Sequence, residues 1–262
     1  MTNPTLYARK NWLEQSRFLS RDTKTILDLI ATKVSTVKDP VVLFDLDSTL
    51  YEVAPRNLAI IRDWIAHSQK SVPQKILTSL NGLKLDDIGY SLKDTFQSVG
   101  LSLDDKEVLA AWENLKAFWW DRFFANHYLP HDLPYPGGVD YAHRLYHLGA
   151  KIIYLTGRDE PRMGEGTRAN LLRDGFPHDE GGRTRLLLKS HGDKEDLKHK
   201  QDAFHVIKSI GNLVASFENE PMNFVAIQEL FPEAMHVFVE TVFSDYPAKP
   251  TSNAYLIRGF RH

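Results

Sequence analysis

Asp45 and Asp47 stand two residues apart, with apolar Leu46 between them, directly after the run Val41-Val42-Leu43-Phe44. On an extended chain, residues two apart face the same way, so both carboxylates project to one side. Neighbouring carboxylates divide nucleophile and acid–base roles when their surroundings push their pKa values apart. Two later segments carry matching groups: Thr156-Gly157-Arg158 closes the run 151–155, and Glu218-Asn219-Glu220 closes the run 213–217. An acid-rich set of this kind suits a hard divalent cation, which prefers oxygen ligands. Such a cation beside paired carboxylates offsets their repulsion and polarises a phosphoryl oxygen. The Thr156 hydroxyl and a lysine would hold the remaining phosphoryl oxygens.

Those residues must be brought together by the elements that carry them. Runs rich in β-formers recur at 41–44, 151–155, 185–188, 213–217 and 236–239. Continuous apolar runs of this length suit strands buried on both faces, as in a parallel sheet. Helix-like segments at 139–148, 167–173, 201–210 and 222–230 precede the later runs, and 12–37 reads as one or two helices ahead of the first. The alternation predicts an α/β fold, a Rossmann-like parallel sheet with flanking helices. About 100 residues separate the first two strands, far beyond an ordinary crossover. Helical patterns at 57–66, 73–81, 86–99 and 104–125 predict an all-helical cap inserted there. The domains expected are a core of 1–50 and 136–262, with an N-terminal helical extension over 1–39, and a cap of 51–135. Ligands of open parallel sheets bind beyond the carboxyl ends of the strands, so an insert rooted there is expected to overhang the site as a lid.

Composition bounds the function. The chain has 262 residues, no cysteine, 42% hydrophobic and 25% charged residues, and a formal net charge of −2. That excludes a disulfide scaffold, thiol catalysis and Cys-based zinc sites. It fits a reducing compartment, and a cytoplasmic location is expected. The N-terminus shows no apolar signal region and no run is long enough to cross a membrane. Near-neutral charge gives no broad field for nucleic acid. The stretch 249–262, with Lys249, Arg258 and Arg261 and no acid, reads as a solvated tail at least as readily as a partner site.

Asp45-Leu46-Asp47-Ser48-Thr49-Leu50 at the end of the first strand is similar to the first motif of the haloacid dehalogenase-like hydrolases, in their aspartate-dependent phosphatase branch. Thr156-Gly157-Arg158 resembles the second motif, a lysine before the fourth strand the third, and Glu218-Asn219-Glu220 the fourth, with Glu where Asp is usual. The resemblance covers roughly 40–242, including a helical cap after the first motif. It implies a Mg²⁺-dependent phosphatase acting on a small phosphorylated substrate. Asp45 would attack phosphorus, and Asp47 would serve as acid and then base. Thr156 and Lys200 would hold the phosphoryl oxygens, with Gly157 and Arg158 at the substrate. Asp45, the main-chain carbonyl of Asp47, and Glu218 would bind the metal.

Bland readings compete at several positions. Lys189, Lys194, Lys198, Lys200 and Lys208 all lie between the third and fourth strands. Lys200 is the choice because Phe204 and Ile207 lie on its helical face; Lys198 and Lys189 are its rivals. Its ammonium is expected within about 4–6 Å of Asp45, where an opposite charge acts most strongly. Glu220 either helps the metal through water or only caps the following helix. His143 and His147 have zinc-like spacing but no third ligand and read as a surface pair. The aromatic segment from Trp112 to Phe124 reads as cap packing. Tyr51, Glu52 and Arg56 are expected to line the site's entrance, while Arg158 and Arg162 read either as ligands of a second anionic group on the substrate or as surface arginines. Two other functions share the fold: a dehalogenase, which needs no acid such as Asp47, and a catalytically idle metal- or phosphate-binding module.

Overall fold

The computed structural model describes residues 9–179, 182–193 and 195–261. Residues 1–8 of the expected N-terminal extension, Lys194 and His262 lie outside them. In chain order the elements are α1 (Arg9–Gln15), β1 (Arg17–Phe18), α2 (Thr23–Thr36), β2 (Pro40–Phe44), β3 (Tyr51–Glu52) and α3 (Ala54–Ser68). Then come α4 (Gln74–Asn81), α5 (Leu92–Ser98), α6 (Lys106–Phe123), β4 (Leu133–Pro134), α7 (Gly138–His147) and β5 (Lys151–Asp159). The chain continues through α8 (Glu160–Arg173), β6 (Thr184–Lys189), α9 (Asp196–Ile210), β7 (Asn212–Glu218), α10 (Pro221–Leu230), β8 (Met235–Val239) and β9 (Ser252–Ile257).

The main sheet has seven strands in the order β1-β9-β8-β7-β2-β5-β6, and every registered pair is parallel. β2 is buried along its whole length. Its two faces serve different cores. Val42 and Phe44 pack with Ile26, Leu27, Tyr141 and Leu145 from α2 and α7. Val41 and Leu43 pack with Ala203, Phe204 and Ile207 of α9 and Ile227 of α10. Burying each such side chain contributes about 1.5–3 kcal/mol, so a continuous apolar run is what a central parallel strand requires. Strand order reverses at β2, which has β5 on one side and β7 on the other. A ligand crevice opens at such a reversal, at the carboxyl ends of the strands.

The chain divides into two compact units, 1–51 with 134–161 and 171–262, and 52–133 with 162–170. Segment 162–170, within α8, thus groups with the helical unit rather than with the core where the sequence pattern put it. The helical unit has its own core around Ile61, Trp64, Leu77, Leu80, Phe96 and Leu115. Its helices α3 and α6 are joined by Trp64 Nε1 to Asn114 Oδ1 and Trp119 Nε1 to Asn57 Oδ1, each 2.7 Å. Trp112, Phe118 and Trp119 lie against this core as expected, whereas Trp120 is exposed. Arg56, expected to line the site's entrance, is fully buried. Its Nε lies 3.0 Å from Asp132 Oδ1 and its guanidinium sits 4.1 Å from the Phe123 ring centre. No described helix is long and apolar enough to cross a membrane.

Other expectations need correcting. The pattern over 86–99 is a 3-10 turn at Leu85–Asp87 followed by α5, which is N-capped by Ser91 in a capping box with Asp94. The pattern over 12–37 is α1, the short strand β1, and α2 capped by Asp22. The stretch after 249 is no solvated tail: β9 pairs with β8 and β1, and Ala254, Ile257 and Phe260 are buried. His143 and His147 do form a surface pair on α7, ring centres 5.8 Å apart, with His143 Nε2 2.6 Å from the Gly175 carbonyl.

His236 on β8 is buried between Ser216 Oγ, 2.8 Å from its Nδ1, and the Phe231 carbonyl, 2.9 Å from its Nε2. The neutral ring satisfies both: Nε2–H donates to the carbonyl and Nδ1 accepts from the hydroxyl. Burial, the largest influence, lowers its pKa below 6.5. The unfolded chain therefore takes up this proton first as pH falls. The stability involved is complete above about pH 6.5 and is lost below it, by at most about 1.4 kcal/mol per pH unit. Urea unfolding at pH 7.5 and 5.5 is expected to show a steeper loss in the native chain than in His236→Gln. Equal losses would mean that His236 is not held neutral.

Candidate active site

Asp45 is the first residue past β2, and its N–H donates to the Phe217 carbonyl of β7 at 3.0 Å. This bond continues the β2–β7 ladder by one residue and places the Asp45 carboxylate at the carboxyl edge of the sheet. Glu218 ends β7 beside it. Between the two carboxylates stands Lys200, whose Nζ donates to Asp45 Oδ1 at 2.7 Å and to Glu218 Oε2 at 2.8 Å. All three side chains are buried. Lys200 reaches them because α9 starts at Asp196, at the same edge, and runs back along the sheet with Phe204 and Ile207 in the core below. Lys198 is exposed and Lys189 half-buried at the end of β6. The lysine beside Asp45 is therefore Lys200.

The electrostatics are unbalanced: one ammonium serves two buried carboxylates. Burial, above all, and then the Glu218 charge push the Asp45 pKa up to about 8, against the lowering effect of Lys200. Glu218 is further oriented by its own turn, since Oε1 accepts from the N–H groups of Asn219 at 3.2 Å and Glu220 at 3.0 Å. Among the described residues no group of three or more His, Cys, Asp or Glu is assembled to hold a metal. The donors that Lys200 brings together are two carboxylates, from Asp45 and Glu218. That set fits Mg²⁺, which uses one or two carboxylates and fills its octahedron with water and substrate oxygens. It does not resemble a closed zinc or calcium cage. The excess negative charge around Lys200 is what such a cation would offset.

Thr156 is fully buried near the end of β5, and its Oγ1 accepts from the Arg158 N–H at 3.3 Å. Gly157 is half-buried between them. Arg158, expected at the substrate, instead meets Asp47: Nη2 donates to Oδ1 at 2.7 Å and Nε to Oδ2 at 3.0 Å. The guanidinium is 1% exposed while the Asp47 carboxylate keeps 30% of its surface open. Glu220 is the N-cap residue of α10, but its side chain makes no capping hydrogen bond. Its carboxylate accepts from the Ser244 N–H at 3.1 Å and from the Ser244 hydroxyl.

A supporting layer escaped the sequence reading. After Asp45 the chain closes a tight loop in which the Leu50 and Tyr51 N–H groups donate to the Leu46 carbonyl at 2.9 and 2.8 Å. Ser48 adopts a φ of 61°, a left-handed conformation that few non-glycine residues take. Asn219 holds this loop: Oδ1 accepts from Thr49 Oγ1 at 3.0 Å and Nδ2 donates to the Val242 carbonyl at 2.7 Å. Thr241 Oγ1 donates to the Ser48 carbonyl. The segment after β8 thus braces the Asp45–Asp47 loop. Its residues carry no motif; only the adjacency of β7 and β8 would have pointed to them.

No family model and no curated protein matches the chain. Solved structures do. A candidate phosphatase from Clostridium difficile is 17% identical with a TM-score of 0.50, over 80% of this chain and 88% of that one. A haloacid dehalogenase-superfamily hydrolase from Geobacter sulfurreducens is 14% identical, TM-score 0.48, over 86% and 95%. A protein tyrosine kinase A from Mycobacterium tuberculosis is 17% identical, TM-score 0.44, over 84% and 94%. The first likeness shows a shared fold: the chain has the α/β architecture of the Clostridium difficile protein, a Rossmann-like parallel sheet flanked by helices.

Proposed function

We propose that the chain is a haloacid dehalogenase-like phosphatase that hydrolyses a small phosphomonoester through an aspartyl-phosphate. The observation that carries this reading is the Lys200 ammonium set between Asp45 and Glu218 at the carboxyl edge of β2 and β7. A lysine there draws an anionic phosphoryl group toward a carboxylate that would otherwise repel it, and burial strengthens the attraction.

In the first step an Asp45 oxygen bonds to phosphorus as the bond from phosphorus to the leaving oxygen breaks. Asp47 gives its proton to that leaving oxygen. In the second step Asp47 takes a proton from water, the water oxygen bonds to phosphorus, and phosphate departs with Asp45 restored. Lys200 and the Thr156 hydroxyl hold phosphoryl oxygens through both steps. Mg²⁺ held by Asp45, Glu218 and the Asp47 carbonyl would supply charge neutralisation at the phosphoryl group. The placement of Asp47 at the same edge favours this reaction over dehalogenation, in which the leaving halide needs no proton.

The test is hydrolysis of an aryl phosphate with and without Mg²⁺. Mg²⁺-dependent turnover is expected, falling at least about 10³-fold in Asp45→Asn, whose amide is no nucleophile. An inactive native chain that still binds Mg²⁺ would point to the binding module. Near-native turnover in Asp45→Asn would remove the covalent mechanism.

A second measurement concerns the metal. Glu218→Gln is expected to raise the Mg²⁺ concentration for half-maximal rate, because a neutral amide oxygen is a poorer ligand than a carboxylate. An unchanged Mg²⁺ requirement would take Glu218 out of the ligand set.

A further inference from the structure

Arg158 is held closely among the charged side chains at the strand ends. Its two fork nitrogens face the two oxygens of one carboxylate, at 2.7 and 3.0 Å, and the guanidinium is almost wholly buried. The backbone reinforces the pairing. Asp47 and Tyr51 form a β-bridge across the tight loop, and the Tyr51 ring centre lies 5.6 Å from the Arg158 guanidinium carbon. At the other end, the Arg158 N–H is tied to Thr156 Oγ1. Loop, ring and strand therefore hold the guanidinium in place, and the guanidinium holds the carboxylate.

A bidentate pair of this kind fixes direction as well as distance, because a planar fork matches a planar carboxylate in one orientation only. An isolated carboxylate on a loop turns about its side-chain torsions. Proton transfer to a leaving oxygen depends on placement at the level of an ångström, and misplacement by about 1 Å costs about 10²-fold in rate. We propose that Arg158 is the positioning residue for Asp47, and that its fork serves this carboxylate and not the substrate. The inference rests on the phosphatase reading, in which Asp47 is the acid and base.

The two roles open to Arg158 separate kinetically. A positioning residue acts only through Asp47, so Arg158→Ala is expected to lower kcat by about 10–100-fold with KM changed less than about twofold. An alkyl phosphate, whose leaving oxygen needs the proton most, is expected to lose more than an aryl phosphate. Asp47→Asn is expected to show the same bias, and Asp47→Asn with Arg158→Ala to be no slower than Asp47→Asn alone. Arg158→Lys, which keeps the charge but not the fork, is expected to retain the leaving-group bias and recover only part of the rate. A substrate ligand gives the opposite pattern: a raised KM, equal losses on both esters, and losses that multiply with those of Asp47→Asn. That pattern would overturn the inference while leaving the phosphatase reading intact. A native chain without phosphatase activity would instead overturn the reading itself, together with the kinetic role. Equilibrium unfolding of the native chain, Asp47→Asn, Arg158→Ala and their double variant judges the pair independently: coupled effects on stability are expected, and strictly additive ones would show that Arg158 does not hold Asp47.

Discussion

One ammonium between two buried carboxylates organises this molecule. Lys200 donates at 2.7 Å to Asp45 and at 2.8 Å to Glu218, with all three side chains withdrawn from water. Buried charges are stable only when paired in good geometry, and removing one partner of a buried pair costs about 3–5 kcal/mol. The geometry is good here because each partner ends or opens a regular element. Asp45 continues the ladder of β2, Glu218 is the last residue of β7, and Lys200 lies in the second turn of α9. Burial above all, and then the Glu218 charge, raises the Asp45 pKa despite Lys200. A further cation arriving with a phosphoryl group would favour the ionised carboxylate that the reaction needs.

The sheet makes this meeting possible. β2 lies at the reversal of strand order, so Asp45 stands where open parallel sheets take their ligands. Both faces of β2 are covered by separate apolar clusters, which leaves little freedom for the strand that delivers the nucleophile. Around it a second layer of polar contacts fixes the loop: Asn219 to Thr49, Thr241 to Ser48, Arg158 to Asp47. The left-handed Ser48 is a local cost of folding the loop so tightly, and the bonds around it are what offset that cost.

What could be read in advance divides along physical lines. The central strands are visible because strands covered on both faces leave unbroken apolar runs, as 41–44 and 213–217 show. The two strands at the β1 end of the sheet leave no such trace. β1 is two residues long, and β9 has only Ala254 and Ile257 fully buried among more exposed neighbours, so its charged flanks were misread as a tail. Lys200 was selected from several lysines because helical periodicity ties it to Phe204 and Ile207, and that face does point to the site. Arg158 and Arg56 mark the limit. A sequence shows that an arginine is near a site but not which carboxylate takes it, and both are engaged by acids, Asp47 and Asp132, from distant positions in the chain. Asn219, Thr241 and Ser244 act through main-chain carbonyls, amides and loop contacts, which no residue pattern announces.

The central claim is that Asp45, made approachable by Lys200, carries the phosphoryl group during turnover. The direct measurement is to quench the native protein in acid during turnover of a phosphomonoester with Mg²⁺, reduce it with borohydride and map the product by mass spectrometry. Reduction of an aspartyl-phosphate converts that aspartate to homoserine. Homoserine at position 45 and at no other aspartate, absent when the phosphate ester is omitted, is the expected result. Turnover with an unmodified position 45, or homoserine at Asp47 instead, would contradict the account.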